Sequence, residues 1–215
     1  MDIPQQLPPL PPELDHQTLV DLLSTVAFKE KLIRKWIADG SLIRIRRGLY
    51  ATNTLFQERP WSGGVLATML CKDACLSMES ALELHGLLPV HKARVTAITA
   101  GRSKTYDTPL GPFNFVHLPP GLFGWCQHTV TLSDGASYQV AEAEKAVLDL
   151  LWSQTAKRSI RKLKQLFFTE LGCNAESLCR LEMEKLLGYA KAYRSSTIHA
   201  YFIPWLQSLK SAQSS

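Results

Sequence analysis

The order of elements along the chain predicts an α+β fold. Three observations carry that expectation. Near the N-terminus two short helical patterns run straight into a β-hairpin pattern, short strand patterns gather between residues 94 and 140, and the last sixty residues read as helix throughout. A doubly wound sheet would instead alternate strand and helix along its length. With 215 residues, 46% of them hydrophobic and 20% charged, the chain has ordinary globular composition and room for one large or two small domains.

Residues 1–13 contain Pro4, Pro8, Pro9, Pro11 and Pro12, which exclude a helix and predict an extended or disordered arm. Asp15 is placed to cap a helix from His16 to Leu23, with Leu19, Leu22 and Leu23 on its inner face. Ser24 to Ala27 make a turn. A second helix is expected from Phe28 to Asp39, where Phe28, Leu32, Ile33, Trp36 and Ile37 form an apolar stripe and Gly40 is the stop. Leu42 to Ala51 then reads as a strand, a tight turn at Arg47-Gly48 and a short return strand. Helix, turn, helix and hairpin together predict a winged helix-turn-helix over residues 14–52. The usual first helix of that unit is missing or displaced into the proline-rich stretch, so the unit is expected to borrow packing from the rest of the chain.

Asn53 to Gly64, with Pro60, Ser62, Gly63 and Gly64, reads as the linker, and residues 60–215 as the second domain. There a helix begins near Val65, and a clearer one runs from Ser77 to His85, stopped by Gly86. Strands are expected at Arg94 to Thr99 and Phe113 to Leu118. A hairpin joins Thr129–Leu132 to Ser137–Val140 through Asp134-Gly135. Ala141 to Trp152 is a strong helix with Val147, Leu148 and Leu151 inward, followed by helical stretches near 159–171, 176–193 and 197–210. This gives a mixed α/β domain with a small, mainly antiparallel sheet and a helical C-terminus.

The net charge of +5 is local. Between Phe28 and Arg47 seven basic residues stand against two acidic ones, an excess equal to that of the whole chain. Such concentration is an electrostatic footprint for a polyanion. The stripe turns Lys31, Arg34, Lys35 and Ala38 away from the core, where a helix in the major groove meets bases and phosphates. Arg34 is the expected base reader, with Lys31 and Lys35 on phosphates. In the hairpin Ile43 and Ile45 alternate with Arg44 and Arg46, so the arginines face outward, and Arg47 sits at the tip, suited to the DNA backbone or minor groove. Tyr50 is either a phosphate donor or a core tyrosine. A second basic cluster, Lys157, Arg158, Arg161, Lys162 and Lys164, is either another nucleic-acid or partner patch or a solvated helix face.

Other functions find less support. Five cysteines at irregular spacing read as free thiols in a reducing compartment, and the pair Cys71 and Cys75 with His85 lacks the second ligand pair of a zinc site, so neither metal nor cofactor is expected. No apolar run approaches the roughly 18 residues that span a bilayer. The start, Met1-Asp2-Ile3-Pro4, has no signal-peptide pattern, so a cytoplasmic protein is expected. Glu142 and Glu144-Lys145 superficially match a nuclease acid–lysine pair, but that chemistry needs one spacer before the lysine, and the glutamates instead suit a helix N-terminus. His85, His91, His117 and His128 have no motif partner. Catalysis is not expected.

Three segments resemble the AbiEi-type antitoxins, transcriptional regulators of bacterial type IV toxin–antitoxin systems that act in abortive infection. They are Gly40–Ala51, like that family's wing; Leu76–Leu87, with its serine-alanine-leucine and histidine-glycine-leucine runs; and Val140–Leu150, with its glutamate-lysine-alanine helix. The resemblance covers roughly residues 14–152. It implies a two-domain autorepressor whose winged helix binds inverted repeats of its own promoter, as a dimer or cooperatively. The second domain would neutralise a nucleotidyltransferase-like toxin, with or without direct contact. Two other readings stay open: a winged-helix regulator or adaptor working through protein contacts, and a nucleic-acid enzyme.

Overall fold

The computed structural model describes residues 10–53, 59–90, 94–154 and 159–213. The end of the proline-rich arm is ordered where prolines suit it best, along a sheet edge. Thr52 donates its amide to the Pro12 carbonyl, and Glu13–Asp15 forms strand β1, so this stretch is docked and not a loose tail. Asp15 then caps α1 (His16–Leu22) by accepting from the Thr18 amide, as its spacing predicts. Leu19 and Leu23 are buried, but Leu22 is 48% exposed, because α1 ends there and the chain turns away.

Helix α2 (Lys29–Ala38) buries Leu32, Ile33 and Trp36. Gly40 follows at φ 79°, a left-handed conformation that ends the helix at little steric cost. Strands β2 (Leu42–Arg46) and β3 (Leu49–Thr52) form the expected hairpin, and β3 also pairs with β1, giving the order β1-β3-β2. The two faces of this sheet do different work. Leu14, Leu42 and Tyr50 join α1 and α2 in a small core, while Ile45, Leu49 and Ala51 belong to the large core of the rest of the chain. The packing that a further helix would supply thus comes from β1 on one side and the second unit on the other. Trp36 is the largest side chain in the small core, where truncation to alanine costs about 3–5 kcal/mol.

A charged clasp completes the seat. Arg59 reaches Glu13 at 2.8 Å and Asp134 at 2.6 Å, and Glu13 also accepts from the Ser62 amide. Ser62 caps α3 (Gly63–Leu70). At Gly64 a Cβ would lie 2.4 Å from the Tyr138 ring, so only glycine lets α3 approach that strand so closely.

The second sheet is mixed, in the order β6-β7-β5-β4-β9-β8. Strands β5 (Val95–Thr99), β7 (Gly111–His117), β8 (Gln127–Thr131) and β9 (Ser137–Ala141) match the expected strands closely. Strands β4 (Cys75–Leu76) and β6 (Lys104–Thr108) were not legible. Antiparallel pairs are β6·β7, β4·β5 and β8·β9, whereas β5·β7 and β4·β9 run parallel. Helices α4 (Met78–Leu84) and α5 (Ala143–Ser153) pack together beside it. Ala141, expected at the start of α5, ends β9 instead.

The C-terminal part is helical as expected but more broken. Helix α6 (Ile160–Lys164) widens into a π-helical stretch, Gln165–Glu170. The stretch expected at 176–193 divides into α7 (Ala175–Cys179) and α8 (Met183–Ala190), and a second π stretch, Thr197–Phe202, leads into α9 (Ile203–Gln213). The two wide turns meet, with Phe167 stacked on Phe202 at 5.6 Å. No helix among the described residues is long and apolar enough to cross a membrane.

Candidate nucleic-acid interface

Helix α2 sets its charges by burying the opposite face. Lys31, Arg34, Lys35 and Ala38 are all exposed. Arg34 donates from Nε to the Glu30 carbonyl at 3.3 Å, which lays its guanidinium along the helix. Lys35 lies in the last turn, where a cation favours the helix dipole. Among the described residues none of Lys31, Arg34, Lys35, Arg44, Arg46 or Arg47 forms an ion pair.

Phe28 departs from its expected place in the buried stripe. It precedes α2 with φ 59° and ψ 38°, and is 72% exposed. A non-glycine residue held there costs on the order of 1–3 kcal/mol. The left-handed turn into α2 carries the ring out of the core that Leu32 and Trp36 fill.

The hairpin presents its arginines unequally. Arg44 and Arg47 are exposed on the edge strand and at the tip. Arg46, also exposed, donates to the Met69 carbonyl at 3.4 Å and lies 5.9 Å over the Tyr106 ring, so it braces the hairpin against the second unit. The pairing slips between Arg44 and Arg46, which breaks strict alternation, yet Ile45 still points inward. The Gly48 carbonyl accepts from the His16 amide at 3.0 Å, tying the tip to the start of α1. Of the two readings of Tyr50, burial favours the core one: it is 6% exposed and its ring lies 6.3 Å from that of His16.

In the second basic cluster Lys157 and Arg158 lie outside the described residues. Arg161, Lys162 and Lys164 are exposed on α6, with Leu163 beneath them. They stand on a different element from the hairpin and α2.

The residues weighed for nuclease chemistry form something else. Lys145 and Asp149 are fully buried and bonded at 2.6 Å one turn apart on α5. Asp149 also accepts from Ser77 and Tyr193, each at 2.6 Å, and the Lys145 ammonium lies 5.0 Å over the Trp125 ring. Burial pushes the Asp149 carboxyl up against the pull of Lys145 and these hydrogen bonds, and burial with the adjacent Asp149 pushes the Tyr193 hydroxyl up. Glu144 accepts from the Glu182 amide at 2.8 Å, fixing the start of α8, and Glu142 accepts from Tyr189. Ser77 spends its hydroxyl on Asp149 and not on capping α4. This network joins α4, α5 and the chain after α8. The apolar stripe of α5 gave no sign that its lysine and aspartate are buried too.

His85 bonds the Ala141 carbonyl at 2.8 Å and faces His128, while His117 bonds the carbonyls of Ala100 and Gly101; His91 lies outside the described residues. The five cysteines are free thiols, and burial pushes Cys75 up to about 12 and Cys173 to about 11. Among the described residues no three His, Cys, Asp or Glu side chains converge as metal ligands would.

Comparison with protein-family models and with characterised proteins finds no match. A solved structure, that of the Rv2827c protein from Mycobacterium tuberculosis, is similar with a TM-score of 0.54 over 94% of this chain and 76% of that one, at 14% identity. That likeness concerns the fold alone.

Proposed function

We propose that this chain is a DNA-binding transcriptional regulator whose residues 14–52 act as a winged helix-turn-helix. One observation carries the reading: the local cationic excess is turned to solvent on α2 and the adjoining hairpin, and none of its six site cations forms an ion pair among the described residues. Phosphate supplies the counter-charge that the fold withholds. Arg34 reads base edges, Lys31 and Lys35 neutralise phosphates, and Arg44 and Arg47 contact the backbone or minor groove. Arg46 serves by holding the hairpin against Tyr106.

A mobility-shift assay on the chain's own upstream region tests this. Arg34→Ala is expected to relax sequence preference by about 1–3 kcal/mol. The double change Arg44→Ala, Arg47→Ala is expected to weaken all DNA nearly uniformly and flatten the salt dependence. Variants indistinguishable from wild type would show the reading face to be misassigned.

The antitoxin role extends this proposal through the resemblance of three segments to AbiEi-type antitoxins. What supports it here is that the second and third of them meet, through Ser77 and Asp149, while the first packs into the same large core through Ile45 and Ala51. The partner it implies is a nucleotidyltransferase-like toxin. Co-expression with such a toxin encoded next door is expected to restore growth; persistent growth arrest would leave a DNA-binding regulator that is no antitoxin.

A further inference from the structure

We infer that Phe28 reads thymine: its ring contacts the C5-methyl group of a thymine in the major groove, at the N-terminal end of α2. This rests on the DNA-binding reading above and names the base it selects.

Phe28 is the most exposed large hydrophobic side chain among the described residues, and it is held out by a left-handed backbone that non-glycine residues rarely adopt. It stands one residue ahead of α2, whose solvent-facing side carries the exposed Lys31 and Lys35. An apolar ring on the same end of the molecule as an exposed basic helix face does not suit an apolar partner surface, which would have to strip water from the neighbouring ammonium groups. It suits a surface with an apolar spot among anions. The major groove offers that at the thymine methyl, flanked by phosphates, and the N-terminal residues of a recognition helix are the ones that reach base edges.

The test uses the full chain and its own upstream DNA prepared twice, with thymine and with every thymine replaced by uracil, which removes only the methyl groups. Affinity is followed by fluorescence anisotropy. Wild type is expected to bind the uracil probe about fourfold more weakly for each methyl group that the ring covers. Phe28→Ala is expected to bind both probes equally, with Phe28→Leu in between. Phe28→Gly, which suits φ 59°, is expected to lose the discrimination while melting no lower than wild type, separating recognition from folding.

If wild type binds the duplex but ignores the methyl groups, or if Phe28→Ala keeps the full discrimination, this inference fails and DNA binding stands. If wild type binds no duplex, both fail. Preference for a single-stranded probe that Phe28→Ala abolishes would mean stacking on unpaired bases, and a dimer that Phe28→Ala dissociates would make the ring a self-association contact; either overturns it.

Discussion

Helices α2 and α5 each carry a lysine with a charged residue four positions on, and they use the pair in opposite ways. On α2, Lys31 and Lys35 are like charges, both exposed; on α5, Lys145 and Asp149 are opposite charges, both fully buried. A like-charge pair at this spacing costs an isolated helix about 0.2–0.5 kcal/mol, so α2 tolerates a small penalty that folding alone does not explain. The α5 pair repays its desolvation only because Ser77, Tyr193 and the Trp125 ring complete its surroundings. The charge on α5 is enclosed and fully partnered, whereas the charge on α2 faces solvent without an ion pair among the described residues.

The contrast breaks most sharply at Asp149. Asp149→Ala strands the Lys145 ammonium in the core and is expected to cost about 3–5 kcal/mol. That is a fall of roughly 6–20 °C in Tm by calorimetry. The double change Lys145→Met, Asp149→Leu removes both charges and is expected to cost less than either single loss. Equal costs would mean that the pair is partly solvated.

Next in size is the clasp between the two cores. Arg59→Ala leaves the Glu13 carboxylate, almost wholly buried, with only the Ser62 amide among the described residues, and is expected to cost about 2–3 kcal/mol in urea unfolding. A smaller effect is expected at Asp73. Burial opposes its charge, but hydrogen bonds from the Cys71 thiol, the Thr99 hydroxyl and the Ala100 amide outweigh it and hold the carboxyl down at about 2. A depressed folded value contributes stability that is full above about pH 4 and is lost as pH falls toward 2. Because Asp73 is exposed, the contribution is about 1 kcal/mol. Asp73→Asn should flatten that part of the pH–stability curve, and an unchanged curve would count against the assignment. Smallest of all, the double change Lys31→Ala, Lys35→Ala is expected to shift stability by no more than about 0.5 kcal/mol. A large loss of stability there would mean that these lysines serve the fold.

Most of the fold was legible where local chemistry decides it. Asp15 announces α1, Gly40 ends α2, and Asp134-Gly135 turns β8 into β9. What escaped depends on distant partners. Strand β4 has two residues and exists because β5 and β9 flank it, and β1 follows prolines that read as a tail until Thr52 and Arg59 hold it. In the candidate site, the outward basic face of α2 followed directly from the apolar stripe. Phe28 did not, because helical periodicity assumes helical backbone and its φ is positive. The bracing of Arg46 was equally hidden, since Met69 and Tyr106 lie 23 and 60 positions further along the chain.

The measurement that bears most directly on the outward face is the salt dependence of binding to the chain's upstream DNA, for wild type and for the triple change Lys31→Ala, Arg34→Ala, Lys35→Ala. With two phosphate-neutralising lysines and the proposed base reader removed from the outward face of α2, the slope of log affinity against log salt is expected to become shallower by roughly 2, with affinity falling at every salt concentration. Identical slopes and affinities, in a variant that melts like wild type, would contradict the account.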